Sequence, residues 1–203
     1  MYNVHLGLIA RQDVQCEWMA YPAKTDRESI LAAALEQVES EGLENLAIRS
    51  VAAKLELAPN ALYRYFENLS ALELAVAEEV RSQMLEVMQK VVGRKGPSES
   101  IRALSEAYLL FAQERPHAFA LYMKNSGLQT PQCARNTAFF VEQVKRVYGE
   151  QRAELASHAL WAQVHGLAVL IGAGVLPWEE AHVRLKFNLK IWLDGAVASP
   201  GKE

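Results

Sequence analysis

Cysteine is scarce in this chain, which has only Cys16 and Cys133 among its 203 residues. The two show neither metal-ligand spacing nor a disulfide framework, which fits a reducing cytoplasm. Neither sign of charge dominates, since the net charge is −3, and 51% of the residues are hydrophobic. These values predict an ordinary globular, cytoplasmic protein with ample material for a core.

The chain also lacks the residue groups that most enzymes use. No nucleophile stands near a base, and no paired carboxylates, metal-ligand cluster or phosphate-binding loop occurs at meaningful spacing. His158 and His165 are close in sequence, but no carboxylate or thiol lies between them. We therefore predict that the protein is not an enzyme and has no catalytic residue, metal site or cofactor.

A secretion signal is missing as well. The apolar stretch Leu6–Ala10 is too short for one, has no basic region before it, and is followed by Arg11 and Asp13. Residues 1–23 are interpreted as an N-terminal extension or a misassigned start, because Met19 would be a natural start just before the first predicted helix. The alternative is an ordered arm that contacts DNA or protein.

Strand patterns and internal repeats are absent, whereas helical patterns run through the chain. The sequence Thr25-Asp26-Arg27-Glu28 has the form of a capping box and precedes an amphipathic helix that is predicted to end near Gly42. A second, shorter helix follows from Ile48 to Leu55, and Pro59 occupies the first position of a third. This arrangement is the helix-turn-helix plan, in which the last helix lies in the major groove of DNA.

The third helix belongs to the run Ala58–Phe66, which contains three aromatic residues and an arginine. Leu62 and Phe66 are four residues apart and share one face, whereas Asn60, Tyr63 and Arg64 project toward another. The first face is expected to anchor the helix in the core. The second face is expected to be presented to a partner.

From Thr25 to Val76 the chain resembles the N-terminal domain of TetR-type transcriptional regulators. The resemblance is carried by Ile30–Leu35, Gly42, Arg49–Ala52 and above all Leu62–Phe66. It implies that the start of the third helix faces base edges, that two tyrosines hold phosphates, and that an arginine reaches the DNA from the second helix. The predicted DNA-binding residues are Arg49, Pro59, Asn60, Ala61, Tyr63, Arg64 and Tyr65.

Three positions depart from the pattern of that family. Glu56 stands where the turn between the helices usually has glycine, and a positive φ there would cost about 1 kcal/mol. Ala58 replaces the usual serine or threonine N-cap, whose loss costs roughly 0.5–2 kcal/mol. Leu69 stands where a lysine usually grips the DNA backbone. We therefore expect a strained or altered turn and one phosphate contact fewer.

After Phe66 the chain reads as helices only. Asn68 or Ser70 is predicted to cap a long fourth helix through Val92, and residues 93–97 form a linker. The later helices are predicted to begin at Ser98, at Arg115-Pro116, at Thr130-Pro131, near Gln151 and near Pro177.

The fold class is therefore predicted to be all-α, with about nine helices in two main parts. Residues 24–68 form a three-helix helix-turn-helix DNA-binding domain, and residues 69–198 form a helical effector-binding and dimerisation domain. Residues 199–203 are a C-terminal tail.

No charged residue occurs from Leu155 to Trp178 in the eighth helix, so a membrane span must be considered. We reject it, because polar residues interrupt the run and small residues allow another backbone to approach closely. A helix half inside its subunit and half against a second copy explains the composition. TetR-type proteins dimerise through their last two helices, and Trp161–Gly166 resembles the Trp-x-x-x-His-Gly signature of one C-terminal subgroup.

Aromatic residues of the C-terminal half are the candidates for an effector pocket. They would enclose an apolar cavity that also contains a few polar groups. The alternative is ordinary core packing, which is the stronger interpretation for the Trp161–His165 pair. Their character favours an aromatic or lipophilic effector, since no arginine cluster is present to hold phosphate. The predicted ligand-binding residues are Tyr108, Phe111, Phe119, Tyr122, Met123, Trp161, His165 and Trp178.

The function implied by the resemblance is transcriptional repression. A homodimer binds a palindromic double-stranded DNA operator and is released by a small effector. The alternative is a helical ligand-binding or protein-binding dimer without operator-specific DNA binding, as Glu56, Ala58 and Leu69 suggest.

Overall fold

The structure is a computed structural model, and it describes residues 25–124 and 130–198. Over these residues the fold is all-α, as predicted, with a helix-turn-helix domain followed by a helical C-terminal domain. The helices are α1 Arg27–Glu41, α2 Ile48–Lys54, α3 Pro59–Leu62, α4 Leu69–Val92, α5 Pro97–Glu114, α6 Pro116–Lys124, α7 Pro131–Tyr148, α8 Glu150–Gly172 and α9 Trp178–Ala198.

The predictions about Cys16, about the extension at residues 1–23 and about the tail at residues 199–203 concern residues outside the described ranges. Within them, a short 3₁₀ turn at Leu43–Asn45 connects α1 to α2. The observed starts of the later helices lie within one residue of the predicted ones, and α1, α2 and α4 also end within one residue of their predicted ends. Element by element, therefore, the helical periodicity of the sequence located the helices correctly.

Side-chain caps determine where α1 and α4 begin. The Asp26 carboxylate accepts a hydrogen bond from the Ser29 N–H at 2.7 Å, so the cap lies one residue later than the Thr25 cap that was predicted. At α4 the Asn68 side chain accepts from the Ala71 N–H at 2.9 Å. Both caps satisfy backbone donors that have no partner inside the helix.

Proline occupies the first position of α3, α5, α6 and α7. Its fixed φ suits the first helical turn, and its missing N–H would have no partner there anyway. At α5 this moves the start to Pro97, one residue before the predicted Ser98. These four prolines explain why the sequence located the starts of the middle helices so closely.

The first three helices enclose a small core of their own. Ile30, Ala34 and Val38 of α1, Val51 of α2 and Leu62 of α3 are all fully buried. The helix α4 packs against α1 and then continues into the C-terminal half, where α4, α5, α7 and α8 pack on one another. The helix α6 lies against α1 and α4, and α9 covers α5 and α8.

A buried arginine connects α4 to two neighbouring helices. The Arg81 side chain is 1% exposed, and its guanidinium lies 2.8 Å from the Glu78 carboxylate and donates to the Tyr122 carbonyl at 3.2 Å. Asn136 of α7 donates to the Arg81 carbonyl at 2.9 Å. A buried charge needs such partners, because an unpaired one would cost several kcal/mol.

In the part of the chain that is described, α8 is the one helix long and apolar enough to cross a membrane by length and composition. Its inner face is buried, at Leu160, Val164 and Leu167, where the helix packs against α5 and α7. Its outer face is exposed within a single chain, and Leu155 is 77% accessible. Within the single chain α8 is thus buried along one face, and its packing against a second copy stays a prediction.

Candidate DNA interface and effector site

The helix α3 is held in place by two apolar side chains on one face. Leu62 and Phe66 are 0% and 4% exposed, which confirms their predicted anchoring role. The Tyr65 and Phe66 N–H groups both donate to the Leu62 carbonyl, at 2.9 and 3.0 Å, and form a tight turn after the short helix. The guanidinium of Arg27 lies 5.1 Å from the centre of the Phe66 ring and covers it.

The opposite face of the same segment is open to solvent. Tyr63 is 53% exposed. Asn60 and Arg64 are exposed beside it, and Arg49 is exposed on the neighbouring α2. Pro59 and Ala61 are half-buried at the start of α3. The structure therefore brings these predicted DNA-facing residues to the accessible side of the helix-turn-helix domain.

Tyr65 differs from the other predicted contacts. Its hydroxyl donates to the Thr25 carbonyl at 2.8 Å, across 40 residues of sequence. A phosphate only accepts hydrogen bonds, so a hydroxyl that donates to Thr25 has no hydrogen left for it. In this arrangement Tyr65 fixes the chain before α1 against the segment after α3.

The turn between α2 and α3 has the strained geometry that the sequence predicted. Glu56 has a φ of +56°, the only positive value at a non-glycine residue in the described ranges. The Glu56 N–H donates to the Ala53 carbonyl at 3.1 Å, and the Leu57 N–H donates to the Ala52 carbonyl at 2.9 Å. This hydrogen-bond pattern ends a helix in the way that usually uses glycine.

Two cations remain available on this face. Lys54 forms an ion pair with Glu36 of α1 at 3.3 Å, so its charge is partly balanced. Arg49 and Arg64 form no ion pair with a carboxylate of the described residues. DNA phosphates attract such unpaired cations, and the contact weakens as salt rises.

The predicted effector residues form a compact ring cluster in the C-terminal half. Tyr108 and Phe111 of α5 contact Phe119 and Tyr122 of α6 edge to face, with ring centres 5.8 to 6.5 Å apart. His165 of α8 completes the cluster, 6.3 Å from Tyr108. These distances are those of directly packed rings.

His165 supplies the polar group of the ring cluster. Its Nδ1 atom lies 3.1 Å from the Tyr108 hydroxyl, and Trp161 is stacked on its ring at 4.9 Å. Burial lowers the pKa of His165 and raises the pKa of Tyr108, which favours a neutral imidazole and a protonated phenol. With the Tyr108 O–H as the donor to Nδ1, the imidazole proton lies on Nε2.

Two predicted effector residues lie outside these ring contacts. Trp178 is stacked on His182 of α9, with ring centres 5.8 Å apart. Met123 is partly buried against the hydrophobic core. The structure thus joins most of the predicted aromatic set but places Trp178 in a separate pair.

Sequence reasoning missed a cleft between α1, α4 and α7. It has a volume of about 410 Å³, and none of the predicted effector residues lines it. Arg27 and Leu31 of α1 form one wall, and Gln132 and Arg135 of α7 form the other. The available sign of this cleft in the sequence was a set of residues spaced to share one face of α4, namely Ala71, Leu74, Ala75 and Glu78. That spacing does not reveal which helices flank the face.

No group of three or more histidine, cysteine, aspartate or glutamate side chains is placed for a metal ion within residues 25–124 and 130–198.

Two protein-family models match the chain. A model of bacterial regulatory proteins, tetR family, matches residues 30–76. A model of the tetracyclin repressor-like C-terminal domain matches residues 101–188. An uncharacterized HTH-type transcriptional regulator from Mycobacterium tuberculosis is 27% identical over 164 residues, which are 78% of this chain and 75% of that protein.

Solved structures share the fold. A protein with unknown function from Rhodococcus sp. RHA1 has a TM-score of 0.72 at 20% identity, covering 89% of this chain and 98% of that one. A TetR variant from Acinetobacter baumannii AYE in complex with minocycline has a TM-score of 0.67 at 18% identity, covering 88% and 99%. The subgroup suggested by Trp161–Gly166 stays a prediction.

Proposed function

The chain belongs to the TetR family of transcriptional regulators, and from this premise we propose that it binds a palindromic DNA operator as a homodimer and leaves it when a small molecule binds. In this proposal the protein is a repressor that acts in the cytoplasm and catalyses no reaction. The observation that carries it is the anchored α3 with its open face. Each further part of the proposal has its own support.

The DNA-binding part rests on which groups of the helix-turn-helix domain are free. Tyr63, Arg49 and Arg64 have polar groups at the surface, while Leu62 and Phe66 hold α3 rigid beneath them. Asn60 provides an amide for base edges, and Pro59 and Ala61 provide apolar contact with thymine methyl groups. Tyr65 contributes by positioning and not by donating to a phosphate.

The dimer part rests on an uncovered apolar face of the last two helices. On α9, Val183, Phe187 and Ile191 recur every four residues and are 67%, 64% and 56% exposed. On α8, Trp161 is 47% exposed, and a Cβ atom added at Gly166 would meet nothing within 4 Å. Exposed apolar side chains that recur along helices in this way are typical of a protein interface.

The effector part rests on the ring cluster around Tyr108 and His165. Its rings are packed against one another, so a ligand must displace some of them to enter. The imidazole Nε2–H would then donate to an acceptor on an otherwise aromatic or lipophilic ligand. Trp178 and Met123 stay in the proposed set as residues that line the space once the rings move.

Release requires a connection from the ring cluster to the DNA-binding domain, and α6 supplies one. Its rings Phe119 and Tyr122 belong to the cluster. Arg115, just before α6, donates from Nε to the Glu39 carboxylate of α1 at 2.6 Å and lies over the Phe111 ring at 5.6 Å. A ligand that moves α6 would therefore move α1. This would change the distance between the two recognition helices of the dimer, which must be about 34–36 Å for them to enter successive major grooves.

The test is DNA binding by the full-length protein. Duplexes are first selected from a random pool, and the affinity for the selected palindrome and for a scrambled duplex is then measured by fluorescence anisotropy across a salt titration. Specific binding predicts a clear preference for the palindrome at every salt concentration. Equal affinity for both duplexes would contradict the proposal.

Substitutions test whether operator binding depends on the predicted DNA-facing residues. Arg49→Ala and Tyr63→Ala should each weaken operator binding roughly tenfold or more, with the dimer unchanged by light scattering. Arg102→Ala, at an exposed arginine of α5, is the matched control and should leave the affinity unchanged. If the first two substitutions had no effect, a helical ligand-binding or protein-binding dimer without operator specificity would be the better description.

A further inference from the structure

The cleft between α1, α4 and α7 has the size of a small-molecule site. Its volume of about 410 Å³ lies within the range of about 300–1,000 Å³ found for ligand pockets. The floor is one face of α4 from Ala71 to Glu79, which is about 12 Å long at 1.5 Å per residue. Leu31 on one wall and Ala71, Leu74 and Ala75 on the floor supply the apolar part of its lining.

One wall of this interdomain cleft carries an arginine that a buried network holds in place. Arg135 donates from Nε to the Gln132 side-chain oxygen at 2.9 Å, and a second, shorter bond joins its Nη2 to the same oxygen. Gln132 is 5% exposed and donates to Asn136 at 3.0 Å, which in turn donates to the Arg81 carbonyl of α4. The remaining N–H groups of Arg135 have no partner among the described residues.

The opposite wall carries a second arginine. Arg27 stands at the start of α1, and its guanidinium covers the Phe66 ring at 5.1 Å. Neither Arg27 nor Arg135 forms an ion pair with a carboxylate of the described residues. The two guanidinium groups are thus available to an anion inside or at the mouth of the interdomain cleft.

Two glutamates also line the interdomain cleft, and their partners decide its net charge. Glu78 pairs with the buried Arg81 at 2.8 Å and accepts from the Thr130 hydroxyl at 2.8 Å, so its charge is balanced. Glu79 accepts only from the neutral Gln83 amide, at 2.9 Å. The two positive charges of Arg27 and Arg135 therefore face one unpaired carboxylate, that of Glu79, so the cleft carries one unbalanced positive charge.

From this shape and charge we propose that the interdomain cleft binds an organic monocarboxylate with an apolar body. The body lies along Leu31 and Leu74, and the carboxylate accepts hydrogen bonds from Arg135 and Arg27. This site is separate from the ring cluster around Tyr108. Because its walls belong to α1 and α7, a bound ligand contacts both domains, and its binding is coupled to their relative position.

The test uses the full-length protein without DNA, in a calorimetric titration. The probes are 4-phenylbutyrate and octanoate, with 4-phenylbutan-1-ol and octan-1-ol as uncharged counterparts. At least one carboxylate should bind saturably and its alcohol should not, and the two bodies distinguish an aromatic from an aliphatic ligand. Arg135→Gln and Arg27→Gln should each weaken binding roughly tenfold, while Arg102→Gln on α5 should leave it unchanged.

A second variant removes the space and keeps the charges. Ala71→Phe fills the floor of the cleft and should abolish carboxylate binding, with the helical content unchanged by circular dichroism. The proposal is overturned if neither carboxylate binds at millimolar concentration, if the alcohols bind equally well, or if Arg102→Gln weakens binding as much as Arg135→Gln. Operator binding is measured separately, so either proposal can fail without the other.

Discussion

At the scale of single residues, Glu56 carries the clearest strain in the described chain. Its φ of +56° belongs to the left-handed region, where a side chain meets its own backbone. Replacing Glu56 with glycine should raise the free energy of unfolding by up to about 1 kcal/mol, since the strain relieved exceeds the extra flexibility of the unfolded chain. Urea denaturation followed by circular dichroism measures the change.

The control for this substitution lies in the preceding helix. Ala53 is exposed in α2 and has ordinary helical geometry, so Ala53→Gly should lower the free energy of unfolding by about 1 kcal/mol. Glycine would then have opposite effects at positions three residues apart. A decrease in stability for Glu56→Gly would show that the turn is not strained.

A second residue-scale prediction concerns His165 and pH. Burial lowers the pKa of His165 in the folded protein below its ordinary value of about 6.5. As the pH falls through that value, the unfolded chain takes up a proton that the folded protein does not, so stability falls. His165→Gln removes this contribution, and its free energy of unfolding should decrease less steeply between about pH 7.5 and 5.5.

Urea unfolding at several pH values measures the two slopes. Gln163 provides the matched control, because it lies on the same helix, is exposed and has no titratable side chain. The slope of Gln163→Ala should equal that of the unsubstituted protein. Equal slopes for all three proteins would mean that His165 titrates alike in the folded and unfolded states.

At the scale of elements, the C-terminal end of α1 depends on α6 for its cap. The last turn of α1 contains Glu39 and no basic residue, which is unfavourable beside the negative end of the helix dipole. Arg115 pairs with the Glu39 carboxylate, and His117 donates from Nδ1 to the Glu39 carbonyl at 3.0 Å. Arg115, just before α6, thus provides the missing charge, and His117, in the first turn of α6, provides a missing donor.

A double-mutant cycle with Arg115→Gln and Glu39→Gln should give a coupling free energy of about 0.5–1 kcal/mol. Arg115 also donates to Gln83 of α4 at 3.1 Å, so its geometry is better fixed than that of a single surface pair. The exposed pair Lys190–Asp194 on α9 is the control, and its coupling should be smaller. If the coupling free energy of this pair were no larger than that of the control pair, the contact before α6 would not stabilise α1.

The element bounds also show what local sequence determines. Proline at the first helical position and the Asn68 cap depend on groups within one turn, and there the predictions were right or off by one residue. The cap of α1 moved from Thr25 to Asp26, because both side chains can accept from the first turn. Periodicity alone does not decide between neighbouring caps.

At the scale of the whole molecule, the apolar face of α8 and α9 predicts that the protein is a dimer. A single charged substitution on this face should then dissociate it. Phe187→Asp places a carboxylate at a side chain that is 64% exposed in the single chain. If this face is the interface, burying that charge is unfavourable, so the substituted protein should be monomeric by light scattering and should lose operator binding. Its helical content should not change.

Val87→Asp is the matched control for the dimer. Val87 is an apolar side chain that is 41% exposed, and it belongs to α4, which packs mainly against α1, α5, α6 and α7. This substitution should leave the oligomeric state unchanged. A dimer that survives Phe187→Asp would place the interface on another surface.

Local sequence patterns were enough to predict the helices, the helix-turn-helix plan and the faces of α3. Those features follow from spacing within a few residues, as with Leu62 and Phe66, and the strained turn at Glu56 was predictable for the same reason. Family resemblance added the predicted contacts with DNA, and their roles there are proposals.

How distant segments meet depends on the packing of the folded chain and could not be read from local patterns. The Tyr65 hydroxyl reaches Thr25 across 40 residues, Tyr108 reaches His165 across 57, and Arg115 reaches Glu39 across 76. The cleft between α1, α4 and α7 arises in the same way, from three helices whose spacing along the chain does not show that they are neighbours. Helix periodicity specifies which side of a helix is buried, but the crossing of one helix over another depends on side-chain packing between them.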